Sequence, residues 1–284
     1  MEKIGVVGLG RMGSAIARRM AAQGHDVVGW TRSGRATAEV QAAPDLENLA
    51  ARSDTLVLSL FDDAAVAGVL EALLAFDLTG KQIIETSTVV PDVLRDRHAA
   101  LLDRGATAVD APISGGPELV MEGKCGIFIG GEAEAAARAE KTLAAISSRI
   151  FHVGPLGAGL AMKVINNGMI QTYFNGLAEF MPLAKEAGLP LETALRILCG
   201  GPAGMPMVAD RLPKVLGEDE EIGFTINATY KDSDVFRRVM QSFGLPSPML
   251  DNFAAMSGSA IEAGLGERDP AAFINFAYDG GTKS

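Results

Sequence analysis

The stretch Gly5–Met20 reads GVVGLGRMGSAIARRM and decides the fold of the first half of the chain. Its glycines Gly8, Gly10 and Gly13 stand at the spacing G-x-G-x-x-G, after an apolar run and before a helical pattern. In such a turn the first glycine permits a tight bend, the second lets a pyrophosphate approach the backbone, and the third lets the helix pack on the strand. The order strand, turn and helix favours a dinucleotide site at the N-terminus of the helix over an ordinary turn.

Short apolar runs alternate with helical patterns through the first half of the chain. The runs are Ile4–Gly8, Asp26–Trp30, Thr55–Leu60, Gln82–Thr86, Thr107–Ala111, Cys125–Gly130 and Arg149–Val153. Near-continuous apolar runs are typical of strands that are covered on both faces. Their alternation with helices predicts βαβ units in a mostly parallel, doubly wound sheet.

After residue 155 the patterns become almost entirely helical, beginning with one long stretch from Gly159 to Ala187. We therefore predict an α/β protein in which a Rossmann-type dinucleotide-binding domain spans residues 1–155. An all-α domain for substrate binding and oligomerisation is expected to span residues 156–284.

Composition and charge exclude several classes of protein. The 284 residues are 48% hydrophobic and 21% charged, which is typical of a soluble globular protein with two ordinary domains. A net charge of −10 disfavours binding to nucleic acid or to an anionic membrane. Cys125 and Cys199 are far apart and indicate neither a disulfide framework nor a metal site. We expect a cytoplasmic protein with no metal and no membrane-spanning segment.

The segment after the second strand, GWTRSGR, indicates which dinucleotide is bound. An NAD site places Asp or Glu there to accept hydrogen bonds from the ribose hydroxyls, and this segment has no acid. Arg32, with Arg35 nearby, can instead pair with a 2′-phosphate, and Thr31 and Ser33 flank it. The alternative is a pair of solvated loop arginines. The missing acid favours NADP (NADPH) over NAD.

Four segments together resemble one enzyme family, the β-hydroxyacid dehydrogenases, which include 3-hydroxyisobutyrate dehydrogenase and several semialdehyde reductases. The resemblance covers nearly the full length of the chain. The segments are GLGRMGSAIA (8–17), DAPISGGPELVMEGKCGIFIGG (110–131), GAGLAMKVINN (157–167) and GFTINATYKDSDVF (223–236). It implies a nicotinamide-dependent interconversion of a β-hydroxyacid and its semialdehyde or keto acid. It also implies a homodimer or homotetramer assembled through the helical domain.

Lys163 stands among Ala, Met, Val and Ile, where a buried lysine is costly. Either the ammonium group reaches water while the aliphatic part of the side chain stays buried, or the lysine has a chemical role. The resemblance implies that Lys163 is the catalytic lysine and that Asn167 assists it. The spacing agrees, because residues four apart share one helix face. An ammonium beside the carbonyl oxygen stabilises developing charge and donates a proton, and the neutral amine takes the proton back in oxidation.

The resemblance also implies the residues that contact substrate and cofactor. Ser114, Gly115 and Gly116 follow a strand end, where a hydroxyl and backbone N–H groups suit a carboxylate, although Ser-Gly-Gly is also an ordinary turn. Lys231 is expected to face the same cleft, and Asp232 beside it is expected to cap the following helix. The implied cofactor contacts are Gly8, Leu9, Gly10, Arg11, Met12, Gly13, Thr31, Arg32, Ser33 and Thr88.

Some positions depart from the family pattern and leave alternatives open. Thr31 stands where many relatives have asparagine, and Phe61 stands where they usually have proline. Met205 and Met207 indicate either a bulkier substrate or a methionine-lined core, and we favour the core. One alternative function is an imine reductase of the same architecture, against which Lys163 argues. Another is a non-catalytic dinucleotide-binding protein.

Overall fold

In the computed structural model, which describes residues 2–34 and 40–281, nine strands of the first half of the chain form one sheet. Arg35, the second predicted phosphate partner, lies outside the described residues. The strands are β1 (Lys3–Val7), β2 (Asp26–Trp30), β3 (Gln41–Ala42), β4 (Thr55–Leu58), β5 (Gln82–Glu85), β6 (Thr107–Asp110), β7 (Ile113–Ser114), β8 (Gly126–Gly130) and β9 (Arg149–Gly154).

The strand order is β3-β2-β1-β4-β5-β6-β8-β7, with β9 also paired to β8. The strands from β3 to β6 pair in parallel, and β9 is parallel to β8, whereas β8 runs antiparallel to β6 and β7. The order reverses at β1, so the crevice where a doubly wound sheet binds ligands lies at the carboxyl ends of β1 and β4. The predicted Rossmann-type sheet is confirmed. The two-residue strands β3 and β7 were not predicted because they are too short to form an apolar run.

Helices cover both faces of this sheet. They are α1 (Arg11–Ala22), α2 (Leu46–Arg52), α3 (Asp63–Leu73), α4 (Asp92–Asp103), α5 (Pro117–Glu122) and α6 (Ala133–Leu143). One apolar core contains α1 and α6 side chains, and the other contains α2, α3 and α4 side chains. Successive strand residues alternate between the cores, as Ile83 and Ile84 show, and burial on both faces explains the continuous apolar runs.

The second half of the chain is helical, as predicted. Its helices are α7 (Ala158–Glu186), α8 (Leu191–Cys199), α9 (Pro206–Val215), α10 (Ile226–Ser242), α11 (Pro248–Ala260), a π turn (Ile261–Leu265) and α12 (Ala271–Tyr278). Phe174, Leu195, Phe253 and Ile274 are buried in its apolar core. Met205 and Met207 pack against that core, in agreement with the interpretation that we favoured.

Two compact units divide after Asn166, inside α7. The predicted domain boundary at residue 155 lies eleven residues earlier, in the turn between β9 and α7, and stays a prediction. Among the described residues, no helix combines the length and the apolar content that crossing a lipid bilayer requires.

Candidate functional site

The glycine loop joins β1 to α1, and a different feature of the structure explains why each of its three positions is a glycine. Gly8 has a φ of 94°, and a Cβ there would overlap the carbonyl oxygen of Ser59. A Cβ on Gly13 would overlap the carbonyl oxygen of Gly8, so the helix could not pack so close to the strand. Gly10 is exposed, and a Cβ there would meet no described atom within 4 Å. The fold therefore requires Gly8 and Gly13, whereas Gly10 leaves open space at the start of α1.

The N-terminus of α1 suits the pyrophosphate of a dinucleotide. Gly10 is the N-cap, no described side chain caps the helix, and its first turn has no acid. Backbone N–H groups at such an end attract anions. Leu9 is buried against Gly29 and Met12 packs on the core, whereas Arg11 is exposed at the first turn of α1. The residues present therefore fit a nucleotide cofactor through the main chain of the loop.

The segment after β2 presents polar side chains to solvent. Arg32 and Ser33 are exposed, and the Thr31 and Ser33 hydroxyl oxygens lie 3.4 Å apart. Since β2 is next to β1 in the sheet, this segment lies on the same edge as the glycine loop. In a doubly wound sheet the segment after the second strand is the part of the chain that faces the adenosine ribose of a bound dinucleotide.

A buried carboxyl ends β5. Glu85 Oε1 accepts a hydrogen bond from the Ser87 N–H at 2.5 Å, and Ser87 Oγ accepts one from the Leu60 N–H at 2.8 Å. Burial raises the pKa of Glu85 to about 7; hydrogen bonds from Ser87 oppose the shift, and the charge of Asp110 adds to it. Thr88 follows and is half-buried. The loops after β4 and β5 are thus fixed to each other.

Asp110 ends β6 and receives the first turn of α7. Its Oδ1 accepts from the Gly157 N–H at 2.5 Å, and its Oδ2 accepts from the Leu160 N–H at 2.8 Å. Burial raises the pKa of Asp110 to about 6, although these two N–H groups and the charge of Arg95 act in the opposite direction. Sequence reasoning passed over Asp110. The available signal was an acid at the end of the apolar run TAVD.

Lys163 does not reach water by snorkelling. Its side chain is 6% exposed, and its Nζ donates to the carbonyl oxygen of Ile113 at 2.6 Å. Asn166 Nδ2 donates to Ser114 Oγ at 3.0 Å. The structure therefore brings Lys163 and Ser114 to the same short segment, and it adds Asn166, which sequence reasoning did not single out.

The rest of the Ser-Gly-Gly segment is partly open. Gly115 is exposed with a φ of 130°, which favours glycine, and Gly116 is the N-cap of α5. No described side chain caps this helix either. Backbone N–H groups of the kind that suit a carboxylate are therefore present beside Ser114.

Two predicted residues belong to the second compact unit. Asn167 continues α7 and is half-buried, and Lys231 lies in α10 with its Nζ 3.3 Å from Asp232 Oδ1. The expectation that Asp232 caps a helix is wrong, because Asp232 lies inside α10. Thr225 caps α10 instead, with its hydroxyl accepting from the Ala228 N–H at 3.1 Å. The roles predicted for Asn167 and Lys231 stay predictions.

Comparisons with known proteins cover nearly the whole chain. Residues 3–154 match the NAD-binding domain of 6-phosphogluconate dehydrogenase. Residues 157–277 match the NAD-binding region of NADP-dependent 3-hydroxyisobutyrate dehydrogenase. The chain is 29% identical to the NAD-dependent L-serine dehydrogenase of Pseudomonas aeruginosa, with 95% of each chain covered.

Solved structures show the same fold. The 3-hydroxyisobutyrate dehydrogenase of Mycobacterium tuberculosis, solved with L-serine, has a TM-score of 0.87 at 25% identity and covers 97% of this chain and 98% of its own. An imine reductase from Myxococcus stipitatus has a TM-score of 0.65 at 20% identity and covers 97% of this chain and 99% of its own. The second likeness concerns the fold alone.

Proposed function

This chain belongs to the β-hydroxyacid dehydrogenase family of NAD(P)-dependent oxidoreductases, and from that premise we propose that it interconverts a β-hydroxyacid and the corresponding semialdehyde or keto acid with NADP as cofactor. The observation that carries the proposal is the buried Lys163, whose ammonium lies next to the Ser-Gly-Gly segment at the carboxyl edge of the sheet. A buried lysine at a ligand-binding edge favours a chemical role over a purely structural one.

Lys163 is the general acid in reduction and the general base in oxidation. A bound nicotinamide nucleotide supplies or accepts the hydride. An ammonium has three N–H donors, one of which binds the Ile113 carbonyl, and we propose that the ammonium also addresses a substrate oxygen. Lys163 stabilises the charge that develops on that oxygen and gives it a proton. Asn167, four residues on, is proposed to bind the same oxygen.

The substrate is proposed to be a small carboxylate. Ser114 Oγ already accepts from Asn166, so its own O–H is directed to another acceptor, which we propose is the carboxylate. Gly115 and Gly116 add backbone N–H groups, and Lys231 adds a positive charge. L-serine and 3-hydroxyisobutyrate, which name the similar proteins, both have a hydroxyl on the carbon β to a carboxylate. That shared chemistry supports the β-hydroxyacid class.

NADP is proposed over NAD because Arg32 is exposed directly after β2 and no acid stands in residues 30–34. The match of the second half to an NADP-dependent enzyme supports this preference, although the similar serine dehydrogenase is NAD-dependent. Exposed apolar side chains of the helical unit, among them Leu183 and Ile197, support the proposed homodimer or homotetramer.

A screen of NADPH consumption with semialdehydes, β-keto acids and cyclic imines tests the proposal. We expect turnover of carbonyl acids such as succinic semialdehyde, and a sharp loss of kcat/KM when the acid is replaced by its methyl ester. Equal rates for acid and ester would remove the carboxylate role of Ser114. Turnover of imines alone would favour an imine reductase, and no turnover of any class would favour a non-catalytic binding protein.

A further inference from the structure

The start of α7 lies along the segment Asp110–Ser114 and is bonded to it at several points. The backbone N–H directly before α7 and one in its first turn bind the Asp110 carboxylate, one α7 side chain binds the carbonyl of Ile113, and another binds the hydroxyl of Ser114. The contacting positions lie three residues apart along the start of the helix, so the contacts follow one another through its first turns. They are Gly157, Leu160, Lys163 and Asn166. Asp110 makes the first contacts of this row.

Glycines let the turn between β9 and α7 pack closely against the sheet. A Cβ on Gly159 would overlap the carbonyl oxygen of Phe128, and a Cβ on Gly130 would come within 2.8 Å of the Gly159 nitrogen. On the other side, Arg95 Nε donates to the carbonyl oxygen of Leu156 at 3.0 Å. The backbone of the turn therefore rests directly on the ends of β6 and β8, and a change at Asp110 has little room to be absorbed locally.

Asp110 itself is placed at a cost. It is 1% exposed, and a buried carboxylate loses its hydration. Both of its oxygens accept from backbone N–H groups at the start of α7 or directly before it, which partly offsets that loss. Asparagine has the same size but only one acceptor oxygen, so its NH₂ group would face one of the two N–H donors. Only a carboxylate satisfies both donors at once.

We propose that Asp110 is a positioning residue that fixes the register of α7 and thereby holds the Lys163 ammonium at the Ile113 carbonyl. The inference rests on the proposed role of Lys163 as the proton donor. Asp110 acts through the helix and not on the substrate. Its loss displaces the ammonium while the glycine loop, on another part of the sheet edge, keeps its cofactor contacts.

Hydrogen exchange in the protein without cofactor tests the geometric half of this proposal. In Asp110→Asn we expect faster exchange at the Gly157 and Leu160 amides and unchanged exchange over residues 8–17. Asp45→Asn is the matched control, because Asp45 caps α2 by accepting from the Asn48 N–H at 2.7 Å. Unchanged exchange at both α7 amides in Asp110→Asn would overturn the proposal.

Single-turnover reduction tests whether Asp110 affects catalysis through Lys163. We expect Asp110→Asn to lower the rate by about 10²-fold with NADPH affinity unchanged, since a displacement of about 1 Å has that effect on catalysis. In a Lys163→Ala background the same change is expected to have no further effect. A loss in that background as large as in wild type shows a merely structural role and overturns the proposal. A normal rate in Lys163→Ala would instead overturn the proposed function, and the exchange result would remain informative.

A milder variant covers the case in which Asp110→Asn does not fold. Arg95→Gln removes the guanidinium that binds the Leu156 carbonyl, from a side chain that is 34% exposed. It is expected to lower the single-turnover rate in the same direction by a smaller factor, again only when Lys163 is present. An equal loss with and without Lys163 contradicts the proposal.

Discussion

The two ends of the sheet's carboxyl edge are built in opposite ways. At β1 and β2 the chain offers backbone and open space, with Gly10 exposed and Arg32 in solvent. At β6 and the start of α7 it offers buried charged side chains, with Asp110 and Lys163 both less than a tenth exposed. A nucleotide brings its own charges and needs room, whereas proton transfer needs one group held in one place. The predictions below test that division.

The largest effect is expected where β6 meets the start of α7, because Lys163 is buried there. Lys163→Ala removes the proposed proton donor and should lower kcat by about 10²–10⁴-fold, the usual contribution of a positioned acid. NADPH affinity should stay unchanged, because the glycine loop is untouched. Single-turnover hydride transfer, with NADPH affinity measured in parallel, checks both statements.

Lys163→Arg extends the same test. It keeps the positive charge but should also be slow, since a guanidinium holds its proton too firmly to donate it. A near-normal rate in Lys163→Ala would show that the lysine is structural. A near-normal rate in Lys163→Arg would show that charge, and not proton transfer, is what the site requires.

The glycine loop is expected to separate folding from binding. Gly13→Ala forces a Cβ onto the Gly8 carbonyl and should lower the free energy of unfolding by about 1–3 kcal/mol or more. Gly10→Ala meets no described atom and should change that free energy by only about 0.5 kcal/mol, yet weaken NADPH binding at least about tenfold. Urea unfolding and NADPH titration check the pair. Equal behaviour of the two variants would contradict the different reasons given for the two glycines.

Arg32→Ala is expected to act on cofactor choice alone. Losing a charge-assisted contact to the 2′-phosphate should weaken NADPH binding by about 1.5–3 kcal/mol, or about tenfold or more, and leave NADH binding unchanged. Arg104→Ala is the control, because Arg104 follows α4 at the opposite edge of the sheet. A wild-type enzyme that prefers NADH, or equal losses for both cofactors, would refute NADP selection by Arg32.

The smallest effect concerns the pH dependence of stability. Folded Glu85 keeps its proton to about pH 7, whereas an unfolded glutamate releases it near pH 4.5. The folded state therefore binds more protons within that window, and the contribution of Glu85 to the free energy of unfolding falls as pH rises through it. Glu85→Gln should remove this fall, so the variant should gain stability relative to wild type as the pH rises from about 4.5 to about 7. Urea unfolding at several pH values checks it, with the exposed Glu47→Gln as control. Parallel curves for Glu85→Gln and wild type would contradict it.

The elements that bury apolar residues regularly were predictable, and those that do not were missed. β4 and β5 are short but fully buried, and the apolar residues at the centre of each gave a recognisable run. β3 and β7 have two residues each, too few to show a period. Asp232 was misread because an acid near a helix start resembles a cap, whereas α10 begins six residues earlier, at Ile226.

For the candidate site, the sequence pointed to Lys163 and Ser114 but not to Asp110 or Asn166, which the structure places beside them. The glycine spacing determined the strand–turn–helix unit, since Gly8 and Gly13 are dictated by local geometry and by the neighbouring residues. The apolar neighbours of Lys163 indicated that burying its ammonium group would be costly, but they did not show which group the ammonium contacts. Composition and spacing report local propensity and periodicity, and they do not report which distant groups meet.

Only the tertiary structure decided that Lys163 binds the carbonyl of Ile113, fifty residues away, and that Asp110 holds the first turn of α7. Both contacts are made across elements that the sheet brings together, so they depend on strand order and on the close packing at Gly130 and Gly159. The raised pKa of Glu85 belongs to the same class, because it arises from burial and from a neighbouring strand's Asp110. The sequence by itself determined the order of the elements and their chemistry; burial and non-local contacts, which no local pattern encodes, decided where the charges lie.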